Sequence, residues 1–263
     1  MKLFIASSLC WDYHPNEVIT IAKEYGLYGV ELWAEHIYYH QAKPAEIRIH
    51  AEMENIELTL HASSWDLNIC SINKGIQEQS IVELKKSIDL AAALGALHMT
   101  FHPGRLTVKN YLVDEHMRAL VINTKRLLEY AAVREVVLSV EMMEPIVKEI
   151  LTEPKAMNHF LEQVGPGLQV TLDIAHTPLE KSNKFYLEEL QRVNSIHVSD
   201  SKRDRYHVPL GEGEINLEEI LSCLGEKDLP IVLEGMDTDR SLSFLKKHLN
   251  FLHKEWKERK ISI

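Results

Sequence analysis

Acidic and histidine residues recur at the ends of short apolar segments along this chain. Seven segments end in this way, at the following residues: Glu31, His61, His102, Glu141, Asp173 with His176 close behind, His197 and Glu234. A charged group at an apolar strand end costs free energy unless it has a partner. A divalent metal ion supplies such a partner, so the pattern predicts a metal centre for catalysis.

The types of donor restrict the metal. Carboxylates mixed with imidazoles, and without cysteine, suit Zn²⁺, Mn²⁺, Co²⁺ or Fe²⁺, whereas Mg²⁺ prefers more oxygen ligands. The donors also outnumber the ligands that one ion needs. The sequence therefore predicts either two or three metal ions, or one ion with several histidines left for acid–base chemistry.

Eight apolar segments of strand length alternate with longer segments of helical periodicity. The predicted strands are Leu3–Ala6, Gly29–Trp33, Ile56–His61, His98–His102, Val136–Glu141, Leu168–Asp173, Ser195–His197 and Ile231–Glu234. The predicted helices are Pro15–Tyr25, Pro44–Glu54, Gln79–Leu94, Val113–Val133, Glu153–Val164, Tyr186–Arg192, Leu217–Leu224 and Arg240–Trp256.

This alternation predicts the α/β class and a (β/α)₈ TIM barrel that forms a single domain over residues 1–263. The carboxyl ends of its strands meet at one mouth, so the acids and histidines are expected to lie together. An open, doubly wound sheet is the alternative, but the chain has no Gly-x-Gly-x-x-Gly after its first strand.

The composition restricts which binding partners the protein is expected to have. The net charge of −10 argues against broad capture of nucleic acid or anionic membrane. No stretch of about 18 apolar residues occurs, so no membrane span is expected. The three cysteines lie far apart without a Cys-x-x-Cys pair, which favours free thiols in a reducing cytoplasm. Nothing in the sequence indicates the oligomeric state.

Four stretches resemble endonuclease IV, a member of the xylose-isomerase-like TIM-barrel superfamily that also contains sugar and sugar-phosphate isomerases and epimerases. They are Phe101–Gly104, Leu172–His176, His197–Lys202 and Asp204–His207 leading into Leu210–Gly213. The resemblance covers essentially the whole chain. It implies the superfamily's barrel, a divalent metal cofactor and one of two kinds of chemistry.

The endonuclease branch implies three zinc ions and hydrolysis of a phosphodiester or phosphate ester. The ligands carried over to this sequence are His61, His102, Glu141, Asp173, His176, His197, His207 and Glu234, with Glu141 bridging two metals. The sequence departs from this pattern at the third metal. Asp204 and His207 are separated by two residues instead of one, and Arg205 stands in the acid's position.

The isomerase and epimerase branch implies one divalent metal, such as Mn²⁺, on Glu141, Asp173, His197 and Glu234. Glu141 and Glu234 double as the acid–base pair in that branch. His176 and Arg203 would hold the sugar oxygens, and all of these residues are present.

The nearly complete set of eight ligands places the hydrolase first and the isomerase or epimerase second. A small phosphorylated or sugar substrate is favoured over DNA, because no basic, aromatic-tipped loop is evident. Trp33 and Trp65 are predicted to line the substrate pocket. A barrel that only binds a ligand would be expected to have lost Glu141 or Glu234, and it keeps both.

Overall fold

Eight parallel strands close into a barrel in the computed structural model, which describes residues 1–224 and 228–259. The strands are β1 (Lys2–Ala6), β2 (Gly29–Trp33), β3 (Glu57–His61), β4 (Met99–Phe101), β5 (Leu138–Glu141), β6 (Leu168–Asp173), β7 (Val193–Val198), β8 (Asp200–Lys202), β9 (Arg205–Val208) and β10 (Pro230–Leu233). Strands β8 and β9 form a separate antiparallel hairpin, and the others follow the order β1-β10-β7-β6-β5-β4-β3-β2 around the barrel.

Helices lie between the strands and complete the predicted (β/α)₈ barrel, which is confirmed. They are α1 (Pro15–Glu24), α2 (Ala34–Tyr39), α3 (Pro44–Glu54), α4 (Lys74–Leu94), α5 (Val113–Ala132), α6 (Pro154–Val164), α7 (Asn183–Glu189), α8 (Leu217–Leu224) and α9 (Ser243–Arg259). Within the described ranges, none of these helices combines the length and apolarity needed to cross a bilayer.

Capping residues move two helix boundaries from their predicted places. Helix α4 begins at Lys74 because the Asn73 side chain accepts hydrogen bonds from the first free backbone N–H groups. Helix α7 runs Asn183–Glu189 because Ser182 caps it in the same way. The short helix α2 and the β8–β9 hairpin were not predicted.

Side chains alternate between the two faces of each barrel strand, as a pleated strand requires. The even-numbered residues of β2, β3, β5 and β6 are apolar and pack outward against the helices, as Val30, Leu60, Val140 and Leu172 do. The odd-numbered residues point into the barrel, and many are polar and buried. Because the strand-end acids and histidines of these strands have odd numbers, this alternation points their side chains into the interior of the barrel mouth.

A small, separate apolar cluster of Phe4, Ala6 and Val232 is buried between β1 and β10. A Cβ at Gly29 would stand 2.1 Å from the Phe4 ring, so only glycine leaves room for this ring beside β2.

Candidate metal centre

All eight side chains predicted as metal ligands meet at the barrel mouth. Their donor atoms form three groups, each with its atoms within 4.8 Å of one another. The inner group is Glu141, Asp173, His197 and Glu234; the first outer group is His61, His102 and Glu141; the second outer group is Asp173, His176 and His207. The structure thus brings the predicted ligands together, while their binding of metal stays a prediction.

The inner group fits a divalent cation because its donor atoms lack other partners. Asp173 Oδ1 accepts a hydrogen bond from the Ala175 N–H at 2.7 Å, but its Oδ2 has no hydrogen bond among the described residues. His197 Nδ1 and Glu234 Oε2 lie 3.1 Å apart, yet neither makes an aligned hydrogen bond. Buried polar atoms are rarely left unpaired, and a cation between these three would satisfy all of them.

Glu141 contributes to two groups through its two carboxylate oxygens. Its Oε1 lies 3.7 Å from His197 Nδ1, on the side of the inner group. Its Oε2 lies 3.3 Å from His61 Nε2 and 3.2 Å from His102 Nε2. This geometry is the one that a carboxylate bridging two metal ions, or linking one ion to two histidines, would need.

Three of the four outer histidines are held by a hydrogen bond at Nδ1. His61 Nδ1 lies 2.9 Å from the Ala62 carbonyl, and His176 Nδ1 lies 3.0 Å from the Met142 carbonyl. A carbonyl only accepts, so each Nδ1 carries a proton and each Nε2 faces the site. His207 Nδ1 is paired with Ser199 Oγ at 3.0 Å. Such second contacts are a regular feature of metal-binding histidines.

The histidines keep both glutamates ionised. Burial by itself would raise the pKa of Glu141, but His102 and His61 hold that pKa well below its usual range. Burial likewise opposes the ionised form of Glu234, and His197 outweighs it and lowers the pKa of Glu234. Two carboxylates are therefore available as ligands or as proton acceptors at neutral pH.

The same contacts favour protonated imidazoles. Despite burial, Glu141 raises the pKa of His61 to about 9, and Asp173 raises the pKa of His176 to about 9. Burial and the adjacent Glu234 raise the pKa of Asp173 well above its usual value. These protons occupy the positions that a metal ion would take, so metal binding has to displace them.

The second outer group has no acid of its own. Asp173 already belongs to the inner group, and Asp204, the acid nearest His207 in sequence, is exposed on the β8–β9 hairpin. The departure in spacing noted in the sequence therefore corresponds to a real difference in donors. A third ion would share Asp173 with the inner group or recruit Glu144, whose Oε2 lies 3.7 Å from His176 Nε2 and has no hydrogen bond among the described residues.

The hairpin that carries His207 is held by one buried carboxylate. Asp200 Oδ2 accepts hydrogen bonds from the N–H groups of Gly211 and Gly213, and Oδ1 accepts from Ile215 N–H. A Cβ at Gly213 would stand 2.1 Å from Asp200 Oδ1, which explains the glycine. His207 itself has a φ of +54°, a conformation uncommon for residues other than glycine.

Two cavities open above the donor groups, and Trp33 lines both of them. The smaller, of about 250 Å³, is bounded by Arg205, Tyr206, His207 and Glu234. The ring of Trp33 stacks on His61 with centroids 4.3 Å apart. The structure thus places Trp33 between the first outer group and the cavity beside Glu234.

The larger cavity, of about 440 Å³, is bounded by Trp65, His102 and Arg105. Trp65 is 52% exposed and packs on Trp11, so it forms part of the rim. Both predicted tryptophans therefore border space at the mouth, and their contact with substrate stays a prediction.

Arg203 lies away from the donor groups. Its side chain is 74% exposed and forms ion pairs with Glu180 at 3.5 Å and Glu214 at 3.8 Å. It borders a separate cavity of about 210 Å³, whereas the arginine beside Glu234 is Arg205. The hairpin thus places Arg205, not Arg203, beside the donor groups, and the predicted contact of Arg203 with substrate stays a prediction.

Sequence comparison finds relatives of similar length. MJ1188, an uncharacterized protein of Methanocaldococcus jannaschii, is 26% identical over 229 residues, which cover 85% of this chain and 84% of that protein. A second uncharacterized protein of that organism, MJ1614, is 26% identical over 219 residues, covering 82% of this chain and 84% of its own.

Several solved structures share the fold. A D-tagatose 3-epimerase-like protein matches with a TM-score of 0.81 at 21% identity, covering 97% of this chain and 99% of that one. The D-allulose 3-epimerase from Methylomonas sp. in complex with D-allulose matches with a TM-score of 0.78 at 18% identity, covering 97% and 96%. The 3-keto-D-glucoside 4-epimerase YcjR from E. coli matches with a TM-score of 0.79 at 15% identity, covering 97% and 99%.

The match to a family model is consistent with both sets of relatives. The model described as "Xylose isomerase-like TIM barrel" matches residues 19–252, which span the strands from β2 to β10 and all three donor groups. The chain therefore belongs to the xylose isomerase-like TIM barrel family.

Proposed function

We propose that the protein is a metal-dependent isomerase or epimerase of a small sugar or sugar phosphate. One observation carries the proposal: Glu141 and Glu234 belong to the same four-residue donor group, yet they come from strands three places apart around the barrel. A substrate held over this group has a carboxylate on each side. The comparisons favour this hypothesis over the hydrolase that the sequence analysis placed first.

The inner group suits a single divalent ion such as Mn²⁺ or Zn²⁺, since it offers three carboxylates and one imidazole. When bound, such an ion polarises a carbonyl and the neighbouring hydroxyl, and it thereby acidifies the C–H bond between them. The ligands in this proposal are Glu141, Asp173, His197 and Glu234.

The two glutamates then move the proton. One ionised carboxylate removes the proton from the carbon beside the carbonyl, and the other, which must first take up a proton once substrate is bound, returns it to the opposite face. The configuration of that carbon inverts with no net redox change. Return of the proton to the neighbouring carbon would instead give aldose–ketose isomerisation.

The cavity beside Glu234 suits a small polar substrate. Its volume of about 250 Å³ lies just below the usual range of ligand sites, about 300–1,000 Å³. Trp33 offers an apolar face to a sugar ring, while Arg205 and His207 offer donors to its oxygens. Relatives of the same fold that are named as sugar epimerases support this substrate class.

Phosphoester hydrolysis by more than one ion is the second candidate. The observation that favours it is the first outer group, in which His61 Nε2 and His102 Nε2 converge on Glu141 Oε2. Two metals bridged by Glu141 would activate water and clamp the oxygens of a phosphate. The chain's net charge of −10 makes DNA the less favoured substrate of such an enzyme.

The experiment that separates the two candidates is solvent exchange. The Mn²⁺-loaded protein is incubated in D₂O with a panel of ketoses, aldoses and their phosphates, and products are followed by NMR and mass spectrometry. Deuterium at the carbon beside the carbonyl is expected for at least one substrate. Absence of exchange across the panel, together with release of phosphate or cleavage of phosphodiesters, would reject the proposal in favour of hydrolysis.

A further inference from the structure

Glu31 is a buried acid inside the barrel that the proposed chemistry does not use. It lies on β2, one strand layer below the mouth, and its side chain is fully buried. Its Oε1 lies 3.1 Å from His197 Nε2, and its Oε2 lies 3.4 Å from the same nitrogen and from Thr59 Oγ1. Glu31 therefore contacts His197, the only histidine of the inner group, at Nε2, the ring nitrogen opposite the one that faces the other donors.

The contact decides which nitrogen of His197 faces the inner group. The Glu31 carboxylate oxygen accepts in this hydrogen bond, so His197 Nε2 carries the proton that points to Glu31. Nδ1 is then the nitrogen left for a metal, and it lies 3.1 Å from Glu234 Oε2 and 3.7 Å from Glu141 Oε1. A carboxylate behind the ring also raises the basicity of the imidazole as a ligand.

The surroundings of Glu31 do not call for an acid on structural grounds. Thr59 Oγ1 donates to Glu31 only at 3.4 Å, while other interior hydroxyls pair with one another, as Thr100 does with Thr171 at 3.0 Å and Ser139 with Thr171 at 2.7 Å. Among the described residues, Glu31 has ion-pair contact with His197. An isolated buried carboxylate is costly, so a neutral residue of this size would serve packing better.

We propose that Glu31 is a positioning residue, which holds His197 with Nδ1 toward the inner group and thereby sets the affinity of that group for its divalent metal. The inference rests on the proposed metal chemistry, but it concerns metal binding and ring geometry, not turnover. It adds a residue outside the ligand set to the machinery of the site.

Two variants of the full chain test the proposal. Glu31→Gln keeps the shape and removes the charge, and Glu31→Leu also removes the acceptor. Thr100→Val is the matched control, because it removes a buried interior hydroxyl that has no contact with His197. Mn²⁺ affinity is measured by calorimetry and the unfolding temperature by circular dichroism, on metal-free protein.

Weaker Mn²⁺ binding by about 10- to 100-fold is expected for Glu31→Gln, and a larger loss for Glu31→Leu, because second contacts of this kind contribute that much to affinity. The metal-free variant is expected to unfold no earlier than the Thr100→Val control. Unchanged affinity in both Glu31 variants, or a loss of affinity matched by Thr100→Val, would overturn the proposal.

Ring NMR supplies a readout that does not depend on metal or turnover. With ¹⁵N-labelled histidine, and the His197 signal identified from a His197→Gln spectrum, the Nε2 proton is expected at low field and in slow exchange. Glu31→Gln should shift it toward ordinary ring protons, and an unshifted proton would overturn the inference. If sugars show no exchange in D₂O while Glu31→Gln still weakens Mn²⁺ binding, the proposed function fails and the role of Glu31 stands.

Discussion

Replacing Glu234 with glutamine removes one member of the proposed acid–base pair without changing its size. Its Oε2 lies 3.1 Å from His197 Nδ1 and has no hydrogen bond among the described residues. A positioned carboxylate contributes about 10²- to 10⁴-fold to proton transfer, which equals about 2.7–5.5 kcal/mol of barrier. We expect kcat to fall at least about 100-fold, with a further loss through weaker metal binding.

The fold should survive this change, because His197 keeps its contacts with Glu31 and Glu141. The assay is deuterium incorporation from D₂O into the best ketose, with metal content and unfolding temperature measured on the same sample. Glu153→Gln is the matched control, since Glu153 accepts a hydrogen bond from the Tyr186 hydroxyl at 2.9 Å outside the donor groups. Exchange at the wild-type rate in Glu234→Gln would refute the assignment of the proton-transferring pair.

Three further outcomes follow from the geometry. His102→Gln should raise KM, because His102 borders the larger cavity, and should leave one Mn²⁺ bound per chain. Elemental analysis and steady-state kinetics measure the two effects. Loss of both the metal and the catalytic rate would favour hydrolysis. Trp33→Leu should raise KM more than it lowers kcat, because the ring borders both cavities, and steady-state kinetics on one substrate measures the split. Mn²⁺ affinity should rise with pH through the neutral range. Nearby acids raise the pKa of His197 above its ordinary value, and His197 Nδ1 must lose a proton before it can bind the metal. One released proton gives up to about tenfold per pH unit, and calorimetry that finds no pH dependence would contradict it.

The convergence of the strand-end acids and histidines could be predicted from sequence because two simple periodicities locate most of them. Alternation along each strand points residues such as Glu141 and Asp173 inward, and the barrel brings their strand ends to one mouth. No distance was needed for that prediction. How the donors divide into groups depends on distances, and the sharing of Asp173 between two groups became visible only in the structure.

Two features of the site depend on contacts distant along the chain, and local sequence does not reveal them. Arg203 and Arg205 alternate on a hairpin whose register is set by Asp200 and the N–H groups of Gly211 and Gly213. No local pattern specifies which arginine faces the mouth. The role of Glu31 was missed for the same reason, although the residue was noted at a strand end, since its partner His197 lies 166 positions further along.

The most direct test of the account is the position and number of metal ions in crystals of the Mn²⁺-loaded protein, located by anomalous scattering. One ion is expected, bound by Glu141, Asp173, His197 and Glu234, with His61 and His102 free of metal. Two or three anomalous peaks, with ions on His61 and His102 or on His176 and His207, would contradict it.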